Sequence, residues 1–127
     1  MITVPHADGF YSDADENFGD IRVWSCSPQN WIWLIHHAEY IFSDSFHGTV
    51  FSTIFKKKFF VMNRSYIVDI NNRMRDYLRE IGQLDKALSV EDFSRIDSLY
   101  WDYEQINKEI DIRRQNSIAF LKNALGV

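Results

Sequence analysis

One stretch restricts this chain more than any other. The apolar run Tyr40-Ile41-Phe42 passes straight into Ser43-Asp44-Ser45-Phe46-His47-Gly48-Thr49, and Val50-Phe51-Ser52-Thr53-Ile54-Phe55 carries on with apolar residues at helical spacing. A short β-prone run, a polar turn with a glycine and then an amphipathic run spell strand, turn, helix. That order belongs to an open α/β sheet, whose ligands sit beyond the carboxyl ends of the strands. The start of the following helix, placed from about residue 48 to 55, offers unpaired N–H groups to an anion. Gly48 allows close approach of a ligand or another backbone. His47 puts a group that titrates near neutrality at the same place.

The flanking sequence agrees with α/β. Ile2-Thr3-Val4 is β-prone and Pro5 ends it; a turn-rich acidic segment, 7–20, then leads to the strand candidate Ile21-Arg22-Val23-Trp24. Ser27 followed by Pro28 is a good helix start, with Trp31, Leu34, Ile35 and Ala38 as its buried stripe. Phe59-Phe60-Val61-Met62 reads as a buried strand, and Asn63-Arg64-Ser65 as a second turn after a strand. Met74, Tyr77, Leu78 and Ile81 mark a helix over about 70–81 that Gly82 stops. The section 83–99 has no clear period. Asp102 with Gln105 three residues on suggests a capping box that opens a long helix, about 103–125. Strands alternating with helices predict a mostly parallel, Rossmann-like sheet with helices on both faces, and no linker splits 1–127 into separate domains.

Composition excludes several classes. At 127 residues with a net charge of −4, the chain lacks the basic face that non-specific nucleic-acid binding needs. No apolar run approaches the roughly 20 residues of a membrane span. The amino-terminal residues lack the regions of a signal peptide, so a cytoplasmic protein is expected. Cys26, the single cysteine, rules out an intrachain disulfide, suits a reducing compartment and is expected to be buried. His36 and His37 are neighbours on a helix, point apart and make no metal pair. Asp8, Asp13, Asp15, Glu16 and Asp20 lack calcium-loop spacing and read as a solvated acidic loop. His6 lines a cleft or ends a turn. No metal and no cofactor is expected.

The run from Ala38 to Ser52, with Lys58-Phe59-Phe60-Val61 after it, resembles the C-terminal half of the polysaccharide pyruvyl transferase family. Val4-Pro5-His6-Ala7, Ser27-Pro28, Asn72-Arg73 and Ser117-Ile118-Ala119-Phe120-Leu121 are weaker supporting matches. The resemblance implies a two-lobed architecture like that of GT-B glycosyltransferases, of which this chain would be the C-terminal lobe. The abrupt start at Ile2-Thr3-Val4 fits that expectation. It implies transfer of pyruvate from phosphoenolpyruvate to hydroxyls of a saccharide acceptor, as a ketal, in the biosynthesis of a cell-surface or secreted polysaccharide. It also implies that the lobe alone is inactive and either binds a partner N-terminal lobe or self-associates.

Several members of that family carry arginine two residues before the histidine, where this chain has Ser45. Serine cannot replace a bidentate cation. Either another cation stands in, with Arg73 or Lys56, Lys57 and Lys58 as candidates, or the donor or acceptor differs. By the same resemblance His47 is the general acid or base. Ser43, Ser45 and Thr49 supply hydroxyls, Gly48 and Thr49 supply amides, and Arg73 is a phosphate or carboxylate clamp. Asp44 has two readings: it caps the following helix, or it orients His47 or accepts a sugar hydroxyl. Two other functions stay open, a nucleotide-sugar-binding glycosyltransferase lobe and a non-catalytic interaction module. Uracil or guanine nucleotide binding without phosphoenolpyruvate binding would mark the first; lack of a reading frame for the other lobe upstream would mark the second.

Overall fold

The computed structural model describes residues 1–5, 18–62 and 72–126. The expectations for His6, the acidic residues from Asp8 to Glu16, and Asn63-Arg64-Ser65 lie outside them. The chain divides into two compact units, Met1–His37 and Ala38–Val127.

In the first unit, β1 (Ile2–Thr3) and β2 (Ile21–Arg22) pair in parallel, Ile2 with Ile21 and Thr3 with Arg22. The terminal ammonium of Met1 binds the Asp20 carboxylate, and Thr3 donates its hydroxyl to the Phe18 carbonyl at 3.2 Å. Helix α1 (Pro28–His37) starts as its sequence predicts: Ser27 accepts the Asn30 amide on its hydroxyl at 3.2 Å, and Pro28 takes the first helical position, where no amide is needed. Ile35 is buried, whereas Trp31 and Leu34 are half-buried. Cys26 is half-buried rather than buried.

The second unit is α/β with a wholly parallel sheet. Its strands are β3 (Tyr40–Ser43), β4 (Lys58–Met62) and β5 (Ala87–Leu88), in the order β3-β4-β5. Helix α2 (Phe46–Ile54) joins β3 to β4, and helix α3 (Asn72–Glu80) precedes β5. Helix α4 (Tyr103–Leu125) ends the chain. The apolar sequence of β4 has a physical reason: a central parallel strand is buried on both faces. Phe59 and Val61 face a core of Met74, Leu78, Ile81 and Ile106. Phe60, fully buried, stacks on Phe42 with centroids 4.9 Å apart and meets Trp101 edge-on at 5.2 Å.

The ends of the helices follow local chemistry. After α2, Lys56 adopts φ 54°, the left-handed conformation usually given to glycine. Its amide binds the Thr53 carbonyl at 3.1 Å, and the Lys57 amide binds that of Ser52 at 2.9 Å. After α3, Gly82 takes the equivalent place with φ +69°, and the Gln83 amide reaches Leu78 at 2.7 Å. The capping box expected at α4 is half made. Asp102 accepts the Glu104 and Gln105 amides at 3.1 and 3.0 Å, but the Gln105 side chain turns forward to Glu109 at 2.8 Å. A complete box lies elsewhere, where Ser89 and Asp92 cap a 3₁₀ segment, Val90–Ser98. Residues 83–99 had no readable period because they are two 3₁₀ segments around a two-residue strand.

Tyr103 ties α4 to the sheet by donating its hydroxyl to the Lys57 carbonyl. Burial, and then the neighbouring Tyr77, push its phenol well above the usual tyrosine range. Burial also raises Tyr77, against an opposing hydrogen bond with Thr53.

Candidate functional site

Because β3, β4 and β5 run parallel, their carboxyl ends share one edge of the sheet. Residues 43–49 leave β3 at that edge. Helix α2 starts earlier than its periodicity suggests, at Phe46, because Ser45 is its N-cap. The Ser45 hydroxyl oxygen accepts the Gly48 amide at 3.4 Å, and its carbonyl accepts the Thr49 amide at 3.0 Å. Phe46 and His47 fall in the first turn, ahead of the apolar run that marks the helix, so spacing alone does not reveal them.

The turn is held by side chains reading its own backbone. Ser43 accepts the Ser45 amide on its hydroxyl oxygen at 3.1 Å. Both serines thus act as acceptors and keep a hydroxyl proton to donate. Gly48 is buried and packs directly on Ser43: a methyl group in its place would lie 2.3 Å from the Ser43 hydroxyl oxygen and 3.1 Å from its Cβ. Thr49, 1 % exposed, donates its hydroxyl to the Ser45 carbonyl at 3.0 Å and lies 3.9 Å from the Met74 sulfur. Ser52 and Thr53 likewise bond the carbonyls one turn back, at 2.6 and 2.9 Å. The Gly48 and Thr49 amides are therefore spent inside the cap. The first-turn donors outside it are the Phe46 and His47 amides.

His47 is exposed, with the Phe46 ring edge-on at 6.0 Å. Asp44 is half-buried. Phe46 packs into the unit, edge-on to Tyr77 at 5.9 Å, and carries the Arg73 guanidinium over its face at 4.7 Å. The first turn of α3 thereby places a cation beside the residue that joins Ser45 to His47. The lysine run lies at the other end of α2. Lys56 and Lys57 close that helix, while Lys58 sits over the Tyr40 ring and bonds its hydroxyl at 3.2 Å. So the structure brings Ser43, Asp44, Ser45, His47 and Arg73 to one edge, with Gly48 and Thr49 as the packed base beneath. No group of three or more possible metal ligands occurs among the described residues.

A second concavity lies on the same edge, at the ends of β4 and β5, lined by Met62, Arg75, Leu88, Ser89 and Asp92 among others. Its residues did not stand out in sequence. Ser89 with Asp92 three positions on is the signal that could have found the turn.

Among the described residues, no helix is long and apolar enough to cross a membrane. No curated protein and no solved structure matches the chain. A family model does, and it covers the run on which the resemblance rests: residues 7–66 match the polysaccharide pyruvyl transferase family, as a partial domain.

Proposed function

We propose that this chain serves as the C-terminal lobe of a polysaccharide pyruvyl transferase, with residues 43–49 and Arg73 forming its share of a phosphoenolpyruvate site. The family match over residues 7–66 supports the class of reaction. The observation that carries the site is the Arg73 guanidinium over Phe46, 4.7 Å from the ring centroid, next to His47. It offers a cation where Ser45 cannot, and it comes from another element rather than from the turn.

Ketal formation adds a proton to the terminal enol carbon, makes two bonds from the neighbouring carbon to sugar oxygens, and expels inorganic phosphate. Two hydroxyl protons are released: one balances the proton gained by carbon, and the other leaves on the phosphate as hydrogen phosphate. His47, open to solvent at the start of α2, is the proposed acid or base. Arg73 and the Phe46 and His47 amides oppose the donor's negative charge. The Ser43 and Ser45 hydroxyls donate to phosphate or sugar oxygens. Asp44 accepts a sugar hydroxyl or orients His47. Gly48 and Thr49 shape the turn. The remainder of the site comes from an N-terminal lobe, without which turnover is negligible, and that lobe or another copy of the chain covers the open side.

Titration calorimetry on the chain tests this with phosphoenolpyruvate and a uridine diphosphate sugar. Saturable binding of phosphoenolpyruvate, weakened at least tenfold by Arg73→Gln and by His47→Ala, is expected. Binding of the nucleotide sugar alone would replace pyruvyl transfer with glycosyl transfer.

A further inference from the structure

The concavity at the ends of β4 and β5 has features that pyruvyl transfer does not use. Its volume is about 190 Å³ and its lining is Val61, Met62, Arg75, Ala87, Leu88, Ser89 and Asp92. With roughly 30 Å³ per water molecule in the liquid, it suits a ligand of about six non-hydrogen atoms. The floor is aliphatic, from Val61, Met62 and Leu88.

The polar groups on its wall differ in how far they are committed. Asp92 binds the Ser89 amide and hydroxyl, both at 2.9 Å, through one oxygen and Arg95 at 2.9 Å through the other. Arg75 is exposed and has no hydrogen bond or ion pair among the described residues. In α3 it lies two positions from Arg73, about 200° around the helix, with buried Met74 between them. One arginine therefore serves the turn and the other the cleft. A planar guanidinium with no partner among the described residues, beside apolar lining residues, fits a carboxylate with a short hydrocarbon skeleton. A phosphate dianion fits less well, since among the described lining residues a single uncommitted cation would oppose two negative charges beside the Asp92 carboxylate.

We propose that this cleft is a binding site for a small organic monocarboxylate, anchored by Arg75 and seated on Val61, Met62 and Leu88. None of its lining residues belongs to 43–49, and the proposal stands whether or not those residues bind phosphoenolpyruvate.

Backbone NMR of the whole chain, titrated with acetate, butyrate and inorganic phosphate, tests it. The Ala87, Leu88 and Ser89 amides should shift saturably with butyrate. Acetate should bind more weakly, by up to about fourfold per missing methylene, and phosphate more weakly than butyrate. Arg75→Gln should weaken butyrate at least tenfold without moving core resonances, because the side chain is exposed; Arg75→Lys should keep part of the affinity. Met62→Gln should remove the preference for butyrate over acetate. Absence of saturable shifts, equal affinity in Arg75→Gln, phosphate binding as tight as butyrate, or shifts confined to residues 43–49 would each overturn the proposal.

Discussion

Replacing Gly48 with alanine should destabilise the protein, although it exchanges glycine for the best helix former. On an open helical surface that exchange would gain about 1 kcal/mol. Here the new methyl would lie 2.3 Å from the Ser43 hydroxyl oxygen and 3.1 Å from its Cβ. Rotating the hydroxyl away breaks the bond that the Ser45 amide makes to it, worth about 1 kcal/mol. Rotation also leaves the Cβ contact, so β3 and α2 must separate; overpacking of this kind costs about 1–3 kcal/mol. The net expectation is a loss of about 1–3 kcal/mol. Urea unfolding of Gly48→Ala, Ser43→Gly and the double variant would measure it, with the coupling free energy as the readout. Ser43→Gly removes both atoms that the methyl strikes, so the double variant should recover most of the loss attributable to Gly48→Ala. Gly48→Ala equal to or more stable than the parent would refute the close packing of strand on helix beneath the turn.

Other consequences are equally specific. Lys56→Gly should stabilise the protein by about 0.5–1 kcal/mol, because a left-handed residue at φ 54° is strained for lysine and not for glycine; an unchanged urea midpoint would contradict it. Leu78→Ala empties a fully buried core position and should cost about 2–5 kcal/mol in the same assay. Asp92 is held below its ordinary value of 3.8, first by the Ser89 amide, then by the Ser89 hydroxyl, with Arg95 contributing. A depressed carboxylate adds stability that is present above its unfolded pKa and fades as pH falls through the folded one. Thermal melts of the parent and Asp92→Asn should therefore differ at neutral pH and converge as pH falls through the lowered folded-state pKa; a gap that widens in acid would reverse the sign.

What could be read in the sequence depended on whether local chemistry and tertiary packing agreed. They agree at Ser27-Pro28, where cap and fixed φ begin α1, and at the apolar run of β4, buried on both faces. They diverge at the start of α2. There Ser45 caps the helix while aromatic Phe46 and polar His47 hide its first turn. At Asp102 the capping oxygen is used, but Gln105 finds a better acceptor in Glu109 one turn on. Residues 83–99 were unreadable for another reason: 3₁₀ segments bond over three residues and bury no regular stripe. The residues at the turn could be named from their motif. The placing of Arg73 on Phe46 and of Arg75 at the cleft could not, since two arginines two positions apart on a helix look alike until their neighbours are known.

The most direct test of the turn as an anion site is an NMR titration of the chain with phosphoenolpyruvate, following backbone amides and the His47 ring. Saturable shifts centred on residues 43–49 and on Arg73, lost in His47→Ala and in Arg73→Gln, are the predicted result. A folded chain whose residues 43–49 stay unmoved at saturating phosphoenolpyruvate would contradict a donor site at this edge of the sheet.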